Sequence, residues 1–211
     1  MMEYLTLAPV ASFIFATTIA CSIIAFSNNQ LYGKMILHPY SVARNQNVFT
    51  VITSGLIHAD WMHLAFNMFS FYAFAFQMEA LMGHWQFGVL YVASLILSDL
   101  PTIAKHKNDY SYHSLGASGA VSAVIFGYIL YSPFTTLLII PIPIPIYAVI
   151  FGGLYLLYCH FAAKHARDNI NHDAHFYGAL CGLFITAILH PDVLPHFVEQ
   201  INEKIQYWRQ G

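Results

Sequence analysis

Three short stretches hold the side chains of this chain that could do chemistry. Gly116-Ala-Ser118-Gly119 sets a serine among glycines, His175-Phe-Tyr-Gly178-Ala-Leu-Cys-Gly182 sets a histidine before two glycines, and His63-Leu-Ala-Phe-Asn67 sets an imidazole one helical turn from a carboxamide. A serine hydroxyl is a weak nucleophile at neutral pH and needs an adjacent base such as neutral histidine, whose ordinary pKa is about 6.5. His63 and Asn67 carry donors of the kind that stabilise a developing oxyanion, an effect worth ~3 kcal/mol per donor. Brought together, these groups would serve acyl transfer, with Ser118 attacking and His175 taking its proton. Each stretch also has a plainer reading. Small residues let helices pack closely, and a His/Asn pair can act as interhelical glue worth roughly 1 kcal/mol.

For the groups to meet, helices must present them on the right faces. Residues three, four and seven apart share a helix face, so His63 aligns with Asn67, and His175 with Gly178 and Gly182. The two glycines make a groove that can accept the small face of the Ser118 helix, where Gly116, Ser118, Gly119, Ser122 and Ala123 lie at close spacings. Such an approach would bring His175 within reach of Ser118.

The composition says where these helices lie. Of 211 residues, 58% are hydrophobic and only 9% charged, with mean hydropathy +0.57, against about 25% charged residues in a soluble domain. A formal net charge of -2 offers no basic surface for nucleic acid. The surrounding partner is therefore the lipid bilayer. Crossing its hydrocarbon takes roughly 20 apolar residues per helix, and six windows are candidates, at 5–26, 61–78, 87–97, 115–131, 146–161 and 174–189, the third being a shorter core that can borrow from Trp85. The third closes before Asp99 and Pro101, and prolines at 141, 143 and 145 make 134–145 a loop or partly buried lead-in. The expected fold class is an all-α, six-span membrane bundle over residues 1–190, with 191–211 as a short interfacial or soluble tail.

The first window has no preceding Lys or Arg and no small-residue cleavage site, so it reads as a retained span. Cys21, Cys159 and Cys181 show no paired spacing and read as small buried hydrophobes. With six spans, Lys34, Arg44, Lys105, Lys107, Lys164 and Arg167 share one side, and Lys204 and Arg209 lie with the termini. The positive-inside rule then puts the termini outside.

In their order and in their windows, the three motifs resemble those of the rhomboid intramembrane serine proteases. That family carries H-x-x-x-N in the second span, G-x-S-G opening the fourth and H-x-x-G-x-x-x-G in the sixth. His58, Glu79 and Gly83 also match family positions, so the resemblance covers most of residues 45–190. It implies a Ser118–His175 dyad without an acidic third member, working through an acyl-enzyme. It further implies an oxyanion site made by the Ser118 N–H, Asn67 and His63, with Gly116 keeping the neighbouring backbone bare. Gly119, Gly178 and Gly182 would pack the helices, and no metal or cofactor is called for. Substrates would be transmembrane proteins cut within or near a membrane segment. The protein would be a multi-pass one of the bacterial inner membrane, with cytoplasmic termini, opposite to the charge count.

Three positions depart from the family. Phe49 and Thr50 stand where many bacterial members have Trp-Arg, and Ser122 stands where an aromatic ring often stacks on the catalytic histidine. Tyr177 and Phe126 are the candidate replacements for that ring. Two other functions fit the composition. A transporter or channel could run protons or metal along the twelve histidines, although no H-E-x-x-H occurs and residues 168–175 read as a polar loop entering the last window. A catalytically silent rhomboid-like binding protein is the other, and the presence of both Ser118 and His175 argues against it.

Overall fold

The computed structural model describes residues 6–139, 142–166, 168 and 170–210; Leu5, Pro141, Arg167 and Gly211 lie outside them. Each of the six apolar windows falls on a helix. Helix α1 (Pro9–Ser27) starts on a proline, whose missing N–H is not needed in a first turn. It stops at Asn28, whose side chain accepts from the Leu31 N–H at 3.0 Å and starts α2 (Asn29–Met35). The connection onward is compacted by α3 (Pro39–Val42), α4 (Thr50–Thr53) and a 3-10 turn at Ser54–Leu56. Helix α5 (Trp61–Met82) opens where the Asp60 carboxylate accepts the His63 N–H at 2.8 Å, and closes at Gly83, whose φ of 91° favours glycine.

Helix α6 (His84–His106) overruns the expected end of the third window, continuing through Asp99 and Pro101. A proline forfeits one backbone bond and crowds the carbonyl four residues back, yet packed neighbours tolerate this in membrane helices. Here Ser98, Asp99 and Thr102 are all buried, so the polar turn faces protein. Helix α7 (Ser118–Tyr131) is the centre of the bundle, with Gly119 to Leu130 buried apart from Ile125. Residues 134–145 are not a plain loop. Strand β1 (Thr136–Ile139) pairs antiparallel with β2 (Ile142–Tyr147), and the hairpin departs from an all-α fold. Pro145 stands opposite Leu138 and Pro143 falls where the register shifts between Leu138 and Ile139; in a two-stranded ribbon both strands are edge strands, where proline is tolerated. Helix α8 (Ala148–His165) follows, then α9 (His172–Leu189) and α10 (Val193–Gln210), the last turned by 109° from α9.

The outward faces of these helices are apolar. Phe13, Phe66, Phe69, Phe161, Phe184 and Ile188 are each more than half exposed, which suits a lipid surround rather than water. By length and composition, α1 and α6 can each cross a membrane, α9 with α10 qualifies only as a bent pair, and α7 is a shorter apolar helix of 14 residues. All three cysteines are free thiols.

Glu79 shows how α1 is fastened to α5. Its carboxylate is fully buried and accepts the backbone N–H groups of Val10 (3.1 Å) and Ala11 (2.6 Å), with His84 Nδ1 at 2.7 Å. A helix start leaves its first N–H groups unpaired and carries a partial positive charge, so an anion there satisfies both.

Candidate active site

Ser118 is the first residue of α7, and the chain reaches it through a constrained turn. Gly116 has φ of 113°, and its N–H donates to the Ser54 carbonyl at 2.9 Å. A Cβ at Gly116 would stand 2.8 Å from His63 Nε2, so the glycine lets this backbone lie against the imidazole. His58 packs edge-on against His63, ring centroids 4.9 Å apart. Its protonation follows from a chain of bonds. Ser22 Oγ donates to the Leu56 carbonyl (3.1 Å) and so accepts from His58 Nδ1 (3.0 Å), which leaves His58 Nε2 to accept the Ala117 N–H (3.5 Å). Burial, reinforced by the His63 ring, lowers the His58 pKa to about 3. His58 is thus a neutral strut beneath the Ser118 turn.

His175 lies in the first turn of α9, and that helix meets α7 through glycine. A side chain at Gly178 would collide with the Gly119 backbone, one at Gly182 with the Ala123 backbone, and one at Gly119 with the Ser98 hydroxyl. Ala174, beside His175, is 3.4 Å from the same Gly119 position. The start of α9 is pinned by Asn171. Its Oδ1 accepts from the Ala174 N–H and from Thr102 Oγ1, both at 3.0 Å, while its Nδ2 donates to Ser114 Oγ at 3.0 Å. One side chain therefore ties α9, α6 and the approach to Ser118. Among the described residues no hydrogen bond joins Ser118 Oγ to His175. Asn67 is buried, and its Nδ2 donates to the His63 carbonyl at 3.0 Å, leaving a second N–H for another acceptor.

The ring stacked on His175 is Tyr155 of α8, not Tyr177 or Phe126. Centroids are 6.3 Å apart and the planes 13° from parallel, within the range of offset stacking. The Tyr155 hydroxyl lies 2.9 Å from Ser122 Oγ. Ser122, the position at which the usual ring is missing, thus anchors a ring supplied by another helix. A cavity of ≈ 10 Å³, about one water in size, is lined by Ser54, Ser98, Asp99, Ser114, Ser118 and Asn171 among others. Asp99, which the sequence reads as lying beyond the third span, instead lines this cavity from within α6. Thr50 is buried and donates to the Asn47 carbonyl at 2.7 Å, whereas Phe49 is largely exposed. Cys159, His172 and His175 have ligand atoms all within 4.8 Å of one another, a grouping that no motif in the sequence signals.

Comparison with known proteins bears on the same segment. The Rhomboid domain model matches residues 45–192. YdcA of Bacillus subtilis (strain 168), which carries a rhomboid-protease name, is 30% identical over 151 residues, 69% of this chain and 68% of its own. L523 of Acanthamoeba polyphaga mimivirus, which carries a rhomboid name, is 31% identical over 88 residues, 41% of this chain and 51% of its own.

Proposed function

Because the chain belongs to the rhomboid family, we propose that it is an intramembrane serine endopeptidase in which Ser118 is the nucleophile and His175 the base. The observation that carries this reading is the glycine contact between α7 and α9, which sets the turn bearing His175 against the turn bearing Ser118. Ser118 Oγ attacks the scissile carbonyl carbon as its proton passes to His175, and the collapsing tetrahedral intermediate expels the amine, which takes that proton. Water, deprotonated by His175, then attacks the acyl-enzyme and releases the second product. The Ser118 N–H, the remaining Asn67 N–H and the His63 imidazole are the donors for the oxyanion.

In this reading the motif-bearing helices are three of six spans. At 1.5 Å per residue, the 14 residues of α7 cover about 21 Å of a hydrocarbon layer ~30 Å thick. Ser118, at the end of that short helix, is recessed from the surface, and the polar cavity beside it admits the hydrolytic water. Substrates are transmembrane proteins cut in or near a membrane segment. The setting proposed with it, by likeness to the family, is the bacterial inner membrane with the termini on the cytoplasmic side.

A fluorophosphonate tests the reading directly, since it phosphonylates only an activated serine, with loss of fluoride. The purified protein in liposomes should take up one label, at Ser118, and should cleave a model transmembrane substrate. Labelling at another serine, or none, sinks the assignment. A silent rhomboid-like binding protein would remain unlabelled.

Tyr155 should matter through His175. An aromatic pair is worth roughly 0.5–1.5 kcal/mol, so Tyr155→Ala is expected to lower kcat by ~10-fold, and Tyr155→Phe by less because the ring remains. Adding Ser122→Phe to Tyr155→Ala should recover part of the loss, by supplying a ring from α7. Equal rates in all three variants would show that the stack does not orient the base.

A further inference from the structure

We infer that Cys159, His172 and His175 form a binding site for one soft divalent cation of the zinc class, and that occupation withdraws His175 from Ser118. The second half of this inference rests on the protease reading; the first does not. The three side chains come from facing helices, Cys159 from α8 and both histidines from the start of α9. Their ligand atoms already lie within 4.8 Å of one another. A tetrahedral zinc ion with Zn–S ≈ 2.3 Å and Zn–N ≈ 2.0–2.1 Å holds its ligand atoms roughly 3.4–3.6 Å apart, so about an ångström remains to close.

The donor set and its surroundings point the same way. Thiolate and imidazole suit Zn²⁺ above the hard cations. His172 is 4% exposed, and its Nε2 meets both carboxylate oxygens of Asp168, at 3.1 and 3.2 Å. Its other nitrogen, Nδ1, is buried with no hydrogen-bond partner among the described residues, an arrangement that costs free energy unless something accepts its lone pair. Carboxylate to histidine to metal is the usual order around a zinc ligand, because the carboxylate fixes the tautomer and ring orientation. Asp168 is partly exposed and sits on the connection between α8 and α9, which offers an aqueous route to the site. On binding, Cys159 gives its proton to solvent as the metal–sulfur bond forms, and the fourth position is left to water. A lone pair of His175 held by the metal cannot take the proton of Ser118.

Co²⁺ reports such a site through its thiolate charge-transfer band. One equivalent should produce the band in the detergent-solubilised full chain and equally in Ser118→Ala. Cys159→Ser should lose it, and Asp168→Asn should weaken Co²⁺ binding roughly 10- to 100-fold. Zn²⁺ should inhibit cleavage by the wild type, a chelator should restore it, and Cys159→Ser should resist Zn²⁺ when scored against its own metal-free rate. No band in the wild type, or a band undiminished in Cys159→Ser, overturns the site. A band with cleavage unchanged at saturating Zn²⁺ overturns the control of His175. If no cleavage is seen with or without metal, the protease reading fails and the cobalt band still decides the site.

Discussion

Ser118→Ala is expected to reduce kcat/KM on a transmembrane substrate by on the order of 10⁴-fold or more, about 5.5 kcal/mol of lost transition-state stabilisation. The loss is this large because no acyl-enzyme can form; the oxyanion donors and the binding surface keep only a residual water reaction. The structure makes the substitution clean. Among the described residues Ser118 Oγ has no hydrogen bond to lose, and the helix-starting turn is held instead by Gly116 on Ser54 and by Ala117 on His58. Thermal unfolding in detergent should therefore match the wild type. A variant that cleaves as well as the wild type would remove Ser118 from the chemistry, whereas one that also melts early would assign the serine a structural part.

How far the sequence carries this picture depends on which interactions are periodic along it. The His63/Asn67 and His175/Gly178/Gly182 motifs could be read because each lies on a single helix, where spacings of three, four and seven place residues on one face, and the Gly116-Ala-Ser118-Gly119 motif because it is one contiguous turn into the start of α7. The helices bearing them occur where the apolar windows lie. Where one residue interacts across helices, the reading fails. Asp99 and Pro101 look like a span end, because a carboxylate and a missing N–H are both costly in lipid, but packing against protein removes that cost and α6 runs on to His106. Tyr155 could not be found by counting from Ser118 or His175, because its place beside His175 depends on the register between α8 and α9. The grouping of Cys159 with His172 has the same origin, and a search for metal motifs within one stretch passes over it. The proline run misled for a local reason. Prolines at alternate positions break a helix, yet they are tolerated in the edge strands of a hairpin.

The second large effect is on the contact between helices. Gly178→Ala is expected to destabilise the bundle by about 1–3 kcal/mol, the usual range for overpacking. The added methyl meets the Gly119 carbonyl, with Gly119 C at 2.8 Å and Cα at 2.9 Å, all backbone atoms that no rotamer change can move aside. Relief requires α9 to back away from α7. In lipid no hydrophobic drive opposes that retreat, because association rests on packing and interhelical hydrogen bonds. Withdrawal by even an ångström carries His175 from Ser118, and displacement on that scale costs ~10²-fold in rate. Gly153 of α8 supplies the control, since a Cβ there meets nothing within 4 Å. Gly153→Ala should be neutral or stabilising by up to about 1 kcal/mol through helix propensity. Unfolding midpoints and kcat/KM measured together distinguish the outcomes. If Gly178→Ala matches Gly153→Ala in both, the close approach of α7 and α9 is not what places the base beside the nucleophile.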